Sequence, residues 1–395
     1  MDNKEAKKNV FWLAMTSLFT DISSEMIMSL VPLFLTALGA SRAVVGLIEG
    51  IAETTASLFK IISGWLSDKL GARKGLVVFG YALSTIFKPF IALANVWHQV
   101  LFVRFVDRVG KGIRNAPRDA LIADSVEEHE RGKSFGFQRG MDTFGAVIGT
   151  FLAAALLFFL GEYTQLDVLH QYRTIFLLSI IPGILGVLSV LFMVKEIKKQ
   201  TDGKEIPLIS WKSFDSSFKA FIFVSAIFEF SNFSYAIFIL RASSLGVIVA
   251  LIPIIYLMYN LVYGFLSQPL GALADKIGEK TVLFFGYAFS AIMCLGFAFA
   301  SNPMHAWILF AIYGVVSAIT NTIPRAMLAD LVSPKLRGSA YGAYYMVIGL
   351  VALPTSAIAG FLWDSLGAVI AFSYGAALAF SAAILVLVFI PSKNS

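Results

Sequence analysis

Residues 64–74 read GWLSDKLGARK, and residues 271–280 read GALADKIGEK. Each of these two charged segments follows one long apolar run and precedes another. Each is therefore predicted to form a short turn between two membrane-spanning helices. Asp68 in the first segment and Asp275 in the second lie 207 residues apart, which is about half the chain. This spacing indicates an internal duplication.

Other short sequences recur at nearly the same spacing. The dipeptides Pro-Arg, Leu-Gly and Arg-Gly begin at residues 117, 38 and 131, and again at residues 324, 245 and 337. Several matches at one spacing are expected when a whole bundle of helices is duplicated and both copies keep the same orientation.

The composition is that of a membrane protein. Of the 395 residues, 58% are hydrophobic, only 14% are charged, and 36 are phenylalanine. A membrane helix needs about 20 consecutive apolar residues. Apolar runs of about this length occupy residues 10–37, 43–66, 76–95, 98–122, 136–160, 174–194, 220–240, 246–270, 281–300, 306–328, 340–362 and 368–390.

These runs predict an all-α membrane protein with twelve transmembrane helices in two pseudo-symmetric six-helix bundles. Residues 1–195 are predicted to form the N-terminal bundle and residues 219–395 the C-terminal bundle. The longest polar interval between runs, residues 196–218, is predicted to be a cytoplasmic linker between them.

Basic residues are distributed unevenly between the predicted loops. If the N-terminus is cytoplasmic, the predicted external loops hold only Arg42, Arg173 and Arg241, and the many other loop lysines and arginines are internal. This positive-inside asymmetry predicts that both termini are cytoplasmic. The net charge of +6 reflects this topology, so no nucleic-acid partner is expected. With Cys294 alone and the histidines scattered, the sequence predicts no metal site and no cofactor.

The first charged turn resembles a signature of the major facilitator superfamily. That signature reads Gly-x-Leu-(Ala/Ser)-Asp-(Arg/Lys)-x-Gly-Arg-(Arg/Lys). The residues that match it here are Gly64, Leu66, Asp68, Lys69, Gly71 and Arg73. Ala72 stands where the first of the paired basic residues is usual, and Glu279 stands there in the second copy. The resemblance extends over the whole chain, and residues 104–124 resemble a largely uncharacterised prokaryotic subfamily.

The resemblance implies a gate at the cytoplasmic ends of the helices. It implies that Asp68 caps a helix of the other half, and that Arg73 or Lys74 pairs with Asp124 at the end of the fourth run. The residues predicted to take part in gating are Gly64, Asp68, Gly71, Arg73, Asp124, Gly271, Asp275 and Gly278. The resemblance also implies a multi-pass protein of the prokaryotic cytoplasmic membrane.

The fourth run contains an unusual stripe of polar and basic residues. Its members recur every three or four positions, and they are Arg104, Arg108, Lys111, Asn115 and Arg118. At 1.5 Å per residue the stripe is roughly 21 Å long, and a charge at the bilayer centre costs at least about 2.5–3.5 kcal/mol. The stripe must therefore line a wet cavity or meet acidic side chains. Arg104, Arg108 and Lys111 are predicted to bind substrate, because arginine binds carboxylate and phosphate in a two-pronged way.

Three acidic residues of the first half are candidates for proton coupling. Asp21 and Glu25 lie one turn apart in the first run, and Asp142 lies in the fifth. Neighbouring intramembrane carboxylates of this kind often exchange protons during transport. The alternative is that the acids only neutralise nearby cations in a structural network.

The second half holds few charged groups in its apolar runs. Glu229 and Asn232 are predicted to contact substrate, beside aromatic residues such as Tyr235, Tyr256 and Tyr259. In the fifth run, Gly136, Gly145 and Gly149 are spaced so that they let neighbouring helices approach closely.

The sequence predicts a secondary transporter and not an enzyme. The preferred substrate is a small polar or anionic solute. It is predicted to be transported together with protons, by alternating access of a monomer embedded in the lipid bilayer. Two alternatives remain open, namely proton-driven efflux of lipophilic drugs or cations, and a membrane receptor or scaffold that does not transport. Substrate identity and direction of transport are not predicted.

Overall fold

A computed structural model describes residues 3–127, 130–197, 214–332 and 337–390. The described residues form helices and connecting turns, as the apolar runs predict. The helices of the first half are α1 (Asn3–Met28), α2 (Val31–Ala37), α3 (Arg42–Leu70), α4 (Lys74–Phe87), α5 (Pro89–Ala92), α6 (Trp97–Ser125), α7 (Arg131–Tyr163), α8 (Val168–Leu178) and α9 (Ile180–Leu188). The helices of the second half are α10 (Ser216–Glu229), α11 (Tyr235–Ser244), α12 (Ile252–Ile277), α13 (Glu279–Phe299), α14 (Pro303–Leu331), α15 (Arg337–Leu366) and α16 (Ala368–Phe389).

Nine helical segments within the described residues are long and apolar enough to cross a membrane. Three further segments correspond to predicted runs but do not meet this measure. Helices α3 and α6 carry several charged residues, and the segment from α10 to α11 is interrupted between Glu229 and Tyr235. The number of twelve spans stays a prediction.

The chain divides into two compact units. Unit 1 comprises residues 1–39 and 55–206, and unit 2 comprises residues 40–54 and 207–395. The sequence does not indicate that the first part of α3 clusters with the second half of the chain. Residues 198–213 of the predicted linker lie outside the described residues, so its boundaries stay a prediction.

The duplication is visible in the backbone at two pairs of glycines. Gly39 and Gly246 have φ angles of 84° and 87°, and Gly71 and Gly278 have φ angles of 60° and 92°. Each pair is separated by the repeat spacing and lies where one helix ends before the next begins. Glycine adopts a positive φ without the steric cost that a side chain would add.

Close helix crossings bring the polar residues of unit 1 together. A Cβ atom placed on Gly80 of α4 would lie 2.6 Å from the Gly110 carbonyl oxygen of α6. On α7, a Cβ atom on Gly145 would lie 2.6 Å from the Leu18 carbonyl oxygen of α1. The predicted close approach is confirmed at Gly145 and Gly149, whereas Gly136 has nothing within 4 Å of such an atom.

Unit 2 has a core dominated by aromatic side chains. Phe218, Phe221 and Phe228 of α10 are buried with Tyr287 of α13. The rings of Phe228 and Tyr287 stack with their centroids 3.8 Å apart. This packing holds α10 in place up to Glu229, its last residue.

Candidate functional site

The basic stripe of α6 faces inward within unit 1. Arg104 and Arg108 are only 2% and 3% exposed. Their guanidinium groups converge on α1, where Arg104 Nη1 lies 3.0 Å and Arg108 Nη2 3.4 Å from the sulphur of Met28. The carboxylate of Asp107 lies 3.9 Å from Arg104 Nη1. The structure therefore brings the two predicted substrate-binding arginines together at the end of α1.

The remaining residues of the stripe have different surroundings. Arg118 donates to the Asp119 carboxylate at 2.8 Å and to the Ser17 hydroxyl at 3.0 Å. Lys111 and Asn115 are half-buried. Lys111 is one of the cations that act on both Asp21 and Glu25, so it lies near the predicted proton-coupling groups.

Arg114, which lies off the stripe, is also buried. Its Nη1 atom donates to the Ser84 hydroxyl at 2.9 Å, and its guanidinium lies 4.4 Å from the Tyr81 ring centroid. One neutral hydroxyl oxygen and an aromatic ring thus stabilise this cation. These partners could not be found from the sequence, because they lie on α4, which is separated from α6 along the chain.

The three predicted proton-coupling carboxylates lie where α1 crosses α7. Asp142 accepts hydrogen bonds from Gln138 Nε2 at 2.8 Å to each of its oxygens, and Arg139 lies 3.9 Å away. Asp21 forms no hydrogen bond or ion pair within the described part of the chain, although Asp142 is the neighbouring charge that acts on it most strongly. One oxygen of Glu25 is buried without a hydrogen-bond partner among the described residues.

Glu229 and Asn232 lie together in unit 2 at the interruption between α10 and α11. Asn232 donates from Nδ2 to the Glu229 carboxylate at 3.2 Å, and Thr355 donates to the Glu229 carbonyl oxygen at 3.1 Å. Glu53, which also belongs to unit 2, is the acidic group that acts on Glu229. An interrupted helix of this kind exposes backbone polar groups, which transporters use to bind solutes.

A ladder of tyrosines lies in the same unit. The ring centroids of Tyr235 and Tyr256 are 5.4 Å apart, and those of Tyr256 and Tyr259 are 5.5 Å apart. Tyr313 stacks on Tyr259 at 4.3 Å. These tyrosines come from α11, α12 and α14, and Glu229 is one of the charged groups that act on Tyr313.

One predicted gating pair is formed within unit 1. Arg73 and Asp124 make an ion pair, with the Arg73 side chain 9% and the Asp124 side chain 14% exposed. Sequence reasoning missed Glu196, whose two carboxylate oxygens accept from the amides of Arg73 and Lys74 at 2.9 and 2.8 Å. Glu196 thereby caps the start of α4. Its signal in the sequence is a single acid among lysines just after a long apolar run.

The other predicted gating residues are placed as follows. Gly64 packs near Ala116, Gly271 packs near Thr322, and Asp275 is exposed near the end of α12. Gly71 and Gly278 end their helices. The side chain of Asp68 lies outside the described part of the structure. A gating role for these residues stays a prediction.

Comparison with known proteins identifies the family. The family model of the Major Facilitator Superfamily matches residues 13–240 and 220–395. An uncharacterised MFS-type transporter of Methanocaldococcus jannaschii is 39% identical over 98% of this chain and 96% of its own length. A multi-drug resistance efflux pump of Streptococcus pneumoniae is 25% identical over 86% of each chain.

Solved structures show the same fold. A POT family transporter crystallised in complex with 5-aminolevulinic acid superposes with a TM-score of 0.80, at 11% sequence identity, over 97% of this chain and 96% of its own. The fold class predicted from the sequence is thereby confirmed, except for the exact number of spans. The family and the fold together show a multi-pass secondary transporter rather than an enzyme. The chain belongs to the major facilitator superfamily.

Proposed function

We propose that this transporter moves a small anionic solute across the cytoplasmic membrane of a prokaryote, coupled to protons, with both termini in the cytoplasm. The observation that supports an anionic solute most strongly is the convergence of Arg104 and Arg108 on Met28. Both guanidinium groups are almost fully buried, and the acceptor they share is a thioether sulphur, which is a weak one.

A carboxylate or phosphate would be a far better partner for these two groups. Guanidinium donors form short, charge-assisted hydrogen bonds with such anions, often two at a time. In a low-dielectric interior the attraction between opposite charges is stronger than in water. A solute anion could therefore replace the Met28 sulphur, with Asp107 remaining as the local counter-charge of Arg104.

Proton coupling is proposed for the carboxylates beside this site. Asp21 and Glu25 lie on one face of α1, and Met28 ends the same helix. A proton taken up on one of them would change the charge beside the arginines and hence the affinity for an anion. Asp142 is a weaker candidate, since Gln138 already donates to both of its oxygens.

A second candidate function is proton-driven efflux of lipophilic cations. The stacked rings of Tyr235, Tyr256, Tyr259 and Tyr313, together with Glu229, favour it, because cations bind to aromatic faces and to carboxylates. A relative named as a multi-drug resistance efflux pump also supports it. Family membership disfavours a receptor or scaffold, and counterflow of labelled solute in liposomes would test for transport directly.

Two substitutions of Arg108 test the anion site. If Arg108 binds the solute, Arg108→Ala and Arg108→Lys should both remain folded, with affinity for the anion reduced about tenfold or more in each. Lysine is included because it keeps the charge but not the planar fork. The measurements are protein yield, melting temperature and ligand affinity of the purified variants.

The opposite outcomes separate the alternatives. A folded Arg108→Ala protein with unchanged affinity would exclude Arg108 as a solute ligand. A structural role would instead leave Arg108→Lys near wild type and make Arg108→Ala unstable. Stabilisation of the wild-type protein by a lipophilic cation, and by no anion, would favour the second candidate function.

A further inference from the structure

Lys88 is a buried cation of unit 1 that is separate from the arginine pair of the proposed anion site. It lies between α4 and α5, where Pro89 begins the second helix, and only 3% of it is exposed. Its Nζ atom donates to the hydroxyls of Ser24 at 2.9 Å and Ser23 at 3.2 Å. It forms no ion pair among the described residues.

This hydrogen bonding leaves the ammonium group incompletely matched. An ammonium has three donors, and the two serines of α1 accept two of them. A buried charge whose hydrogen-bond partners are neutral retains a strong preference for an anion. Among charged groups, Asp107, Arg114, Asp21 and Arg108 act on Lys88 from α6 and α1.

Lys88 also lies beside the two arginines of the proposed anion site. Ser24, which accepts from Lys88, is one helical turn before Met28, which contacts Arg104 and Arg108. Residues four positions apart lie on the same face of a helix, so all three cations approach one face of α1. The three cations therefore come from two places in the chain: Lys88 from the junction of α4 and α5, and the two arginines from α6.

Gly183 of α9 packs closely against Ser23, which accepts from Lys88. A Cβ atom placed on Gly183 would lie 3.1 Å from the Ser23 hydroxyl and 3.1 Å from Cγ2 of Thr85. The Thr85 hydroxyl donates to the Gly183 carbonyl oxygen at 3.4 Å. A larger residue at Gly183 would therefore press on a serine that accepts from Lys88.

We propose that Lys88 is the third cationic arm of the anion site, so that the transporter selects solutes with two negative charges over solutes with one. A phosphate monoester and a dicarboxylate share this chemistry. The inference rests on the proposed function, since it assumes that Arg104 and Arg108 bind the anion. It goes further by specifying that the solute carries two negative charges, which the two arginines alone do not determine.

Binding to matched pairs of probes tests the proposal. The probes are phenyl phosphate with its methyl diester, and succinate with its monomethyl ester, each measured on the purified full chain near pH 8. Within a pair the two probes differ by one negative charge. We expect the wild-type protein to bind at least one dianion about tenfold more tightly than its monoanionic partner. The pair that shows the preference distinguishes a phosphoryl solute from a dicarboxylate.

Substitutions of Lys88 assign that preference to its charge. Lys88→Gln should reduce the preference to about one, mainly by weakening dianion binding, whereas Lys88→Arg should keep most of it. Arg114→Gln is the control, because it removes another buried cation of unit 1, one that contacts Ser84 and Tyr81 on α4 instead of the serines of α1. Its preference for the dianion should stay at the wild-type value.

Ser24→Ala provides a second variant if Lys88→Gln does not fold. It removes one acceptor of the ammonium but keeps the charge, so the preference for the dianion should persist. A wild-type preference that Lys88→Gln retains, with binding still dependent on Arg108, would overturn the role of Lys88 and leave the proposed function standing. If no anion binds the wild type, or if Arg108→Ala binds anions normally, both proposals are wrong.

Discussion

At the scale of single residues, the structure separates three carboxylates that the sequence treated alike. Asp142 is held by Gln138, whereas Asp21 has no hydrogen bond or ion pair among the described residues, and one oxygen of Glu25 is buried without a partner. Hydrogen-bond donors stabilise the ionised form of a carboxylate, so a carboxylate that already accepts from them binds a proton less readily. Asp21 and Glu25 are therefore the better candidates for the proton carrier.

Neutral substitutions of these acids should uncouple transport from the proton gradient. We expect Asp21→Asn or Glu25→Gln to abolish pH-driven accumulation of solute in liposomes, because the variant can no longer carry the proton. Exchange of solute without a gradient should continue, since the binding site remains. Asp142→Asn serves as the comparison and should keep more of the driven uptake. If both variants accumulate solute at the wild-type rate, proton coupling through α1 is wrong.

At the scale of helices, the crossing of α1 and α7 determines where these carboxylates lie. A Cβ atom placed on Gly149 would lie 2.9 Å from the Ile22 Cα and 3.0 Å from the Glu25 Cβ. No larger residue fits without moving one helix away from the other. Close backbone approach at small residues is a general means of packing membrane helices, which lack a strong hydrophobic drive to associate.

Enlarging Gly149 should therefore destabilise unit 1. We expect Gly149→Ala to cost about 1–3 kcal/mol through overpacking, and to lower both the melting temperature and the rate of driven transport. The matched control is Gly140→Ala on the same helix, because nothing lies within 4 Å of a Cβ atom there. That change should be neutral or slightly stabilising, since alanine favours helix more than glycine does. Equal effects of the two substitutions would contradict the packing argument.

At the scale of the whole molecule, α3 is shared between the two units. Its residues 42–54 belong to unit 2, where Asp364 accepts from the Ala43 amide at 2.9 Å and from Arg42 Nη1 at 3.1 Å. Gly50 packs against α15, because a Cβ atom there would lie 2.9 Å from the Leu353 Cα. Residues 55–70 belong to unit 1. If alternating access moves the two halves of the chain apart, residues 42–54 of α3 must leave unit 2 and part from α15.

Removing Asp364 should favour that separation. The lost helix cap and the exposed ion pair are together worth roughly 1–2 kcal/mol, so the separated state should gain population about tenfold. The measurement is alkylation of a cysteine at Ala52, which is fully buried, in a Cys294→Ser background. We expect Asp364→Ala to raise the labelling rate several-fold.

Asp167 supplies a matched control for this experiment. It also caps a helix, since it accepts from the His170 amide at 2.9 Å, but the cap is local to α8 in unit 1. Hydrogen bonds from the His170 amide and side chain hold the pKa of the Asp167 carboxyl below its usual range. Asp167→Ala should leave labelling at Ala52 unchanged. A rise of equal size in both variants would show general loosening rather than release of α3.

The shared, buried face of Arg104 and Arg108 could be predicted from the sequence, because it follows from the local periodicity of the helix. The spacing of Arg104 and Arg108 places both on one face of α6, and the energetic cost of charge in a bilayer requires that face to be buried. The partners could not be predicted, since Met28, Ser24 and Ser84 are distant in sequence and chemically ordinary. The cap provided by Glu196 was missed for the same reason.

The sequence by itself determined the helical membrane class, the internal duplication and the family. These follow from apolar length, from a repeated motif and from glycines at fixed spacing, all of which are properties of the chain taken in order. Only the tertiary structure decided that residues 40–54 cluster with unit 2, and that Lys88 and the two arginines meet at one face of α1. Such juxtapositions depend on how helices cross, and helix crossings are determined by packing between segments that no local pattern relates.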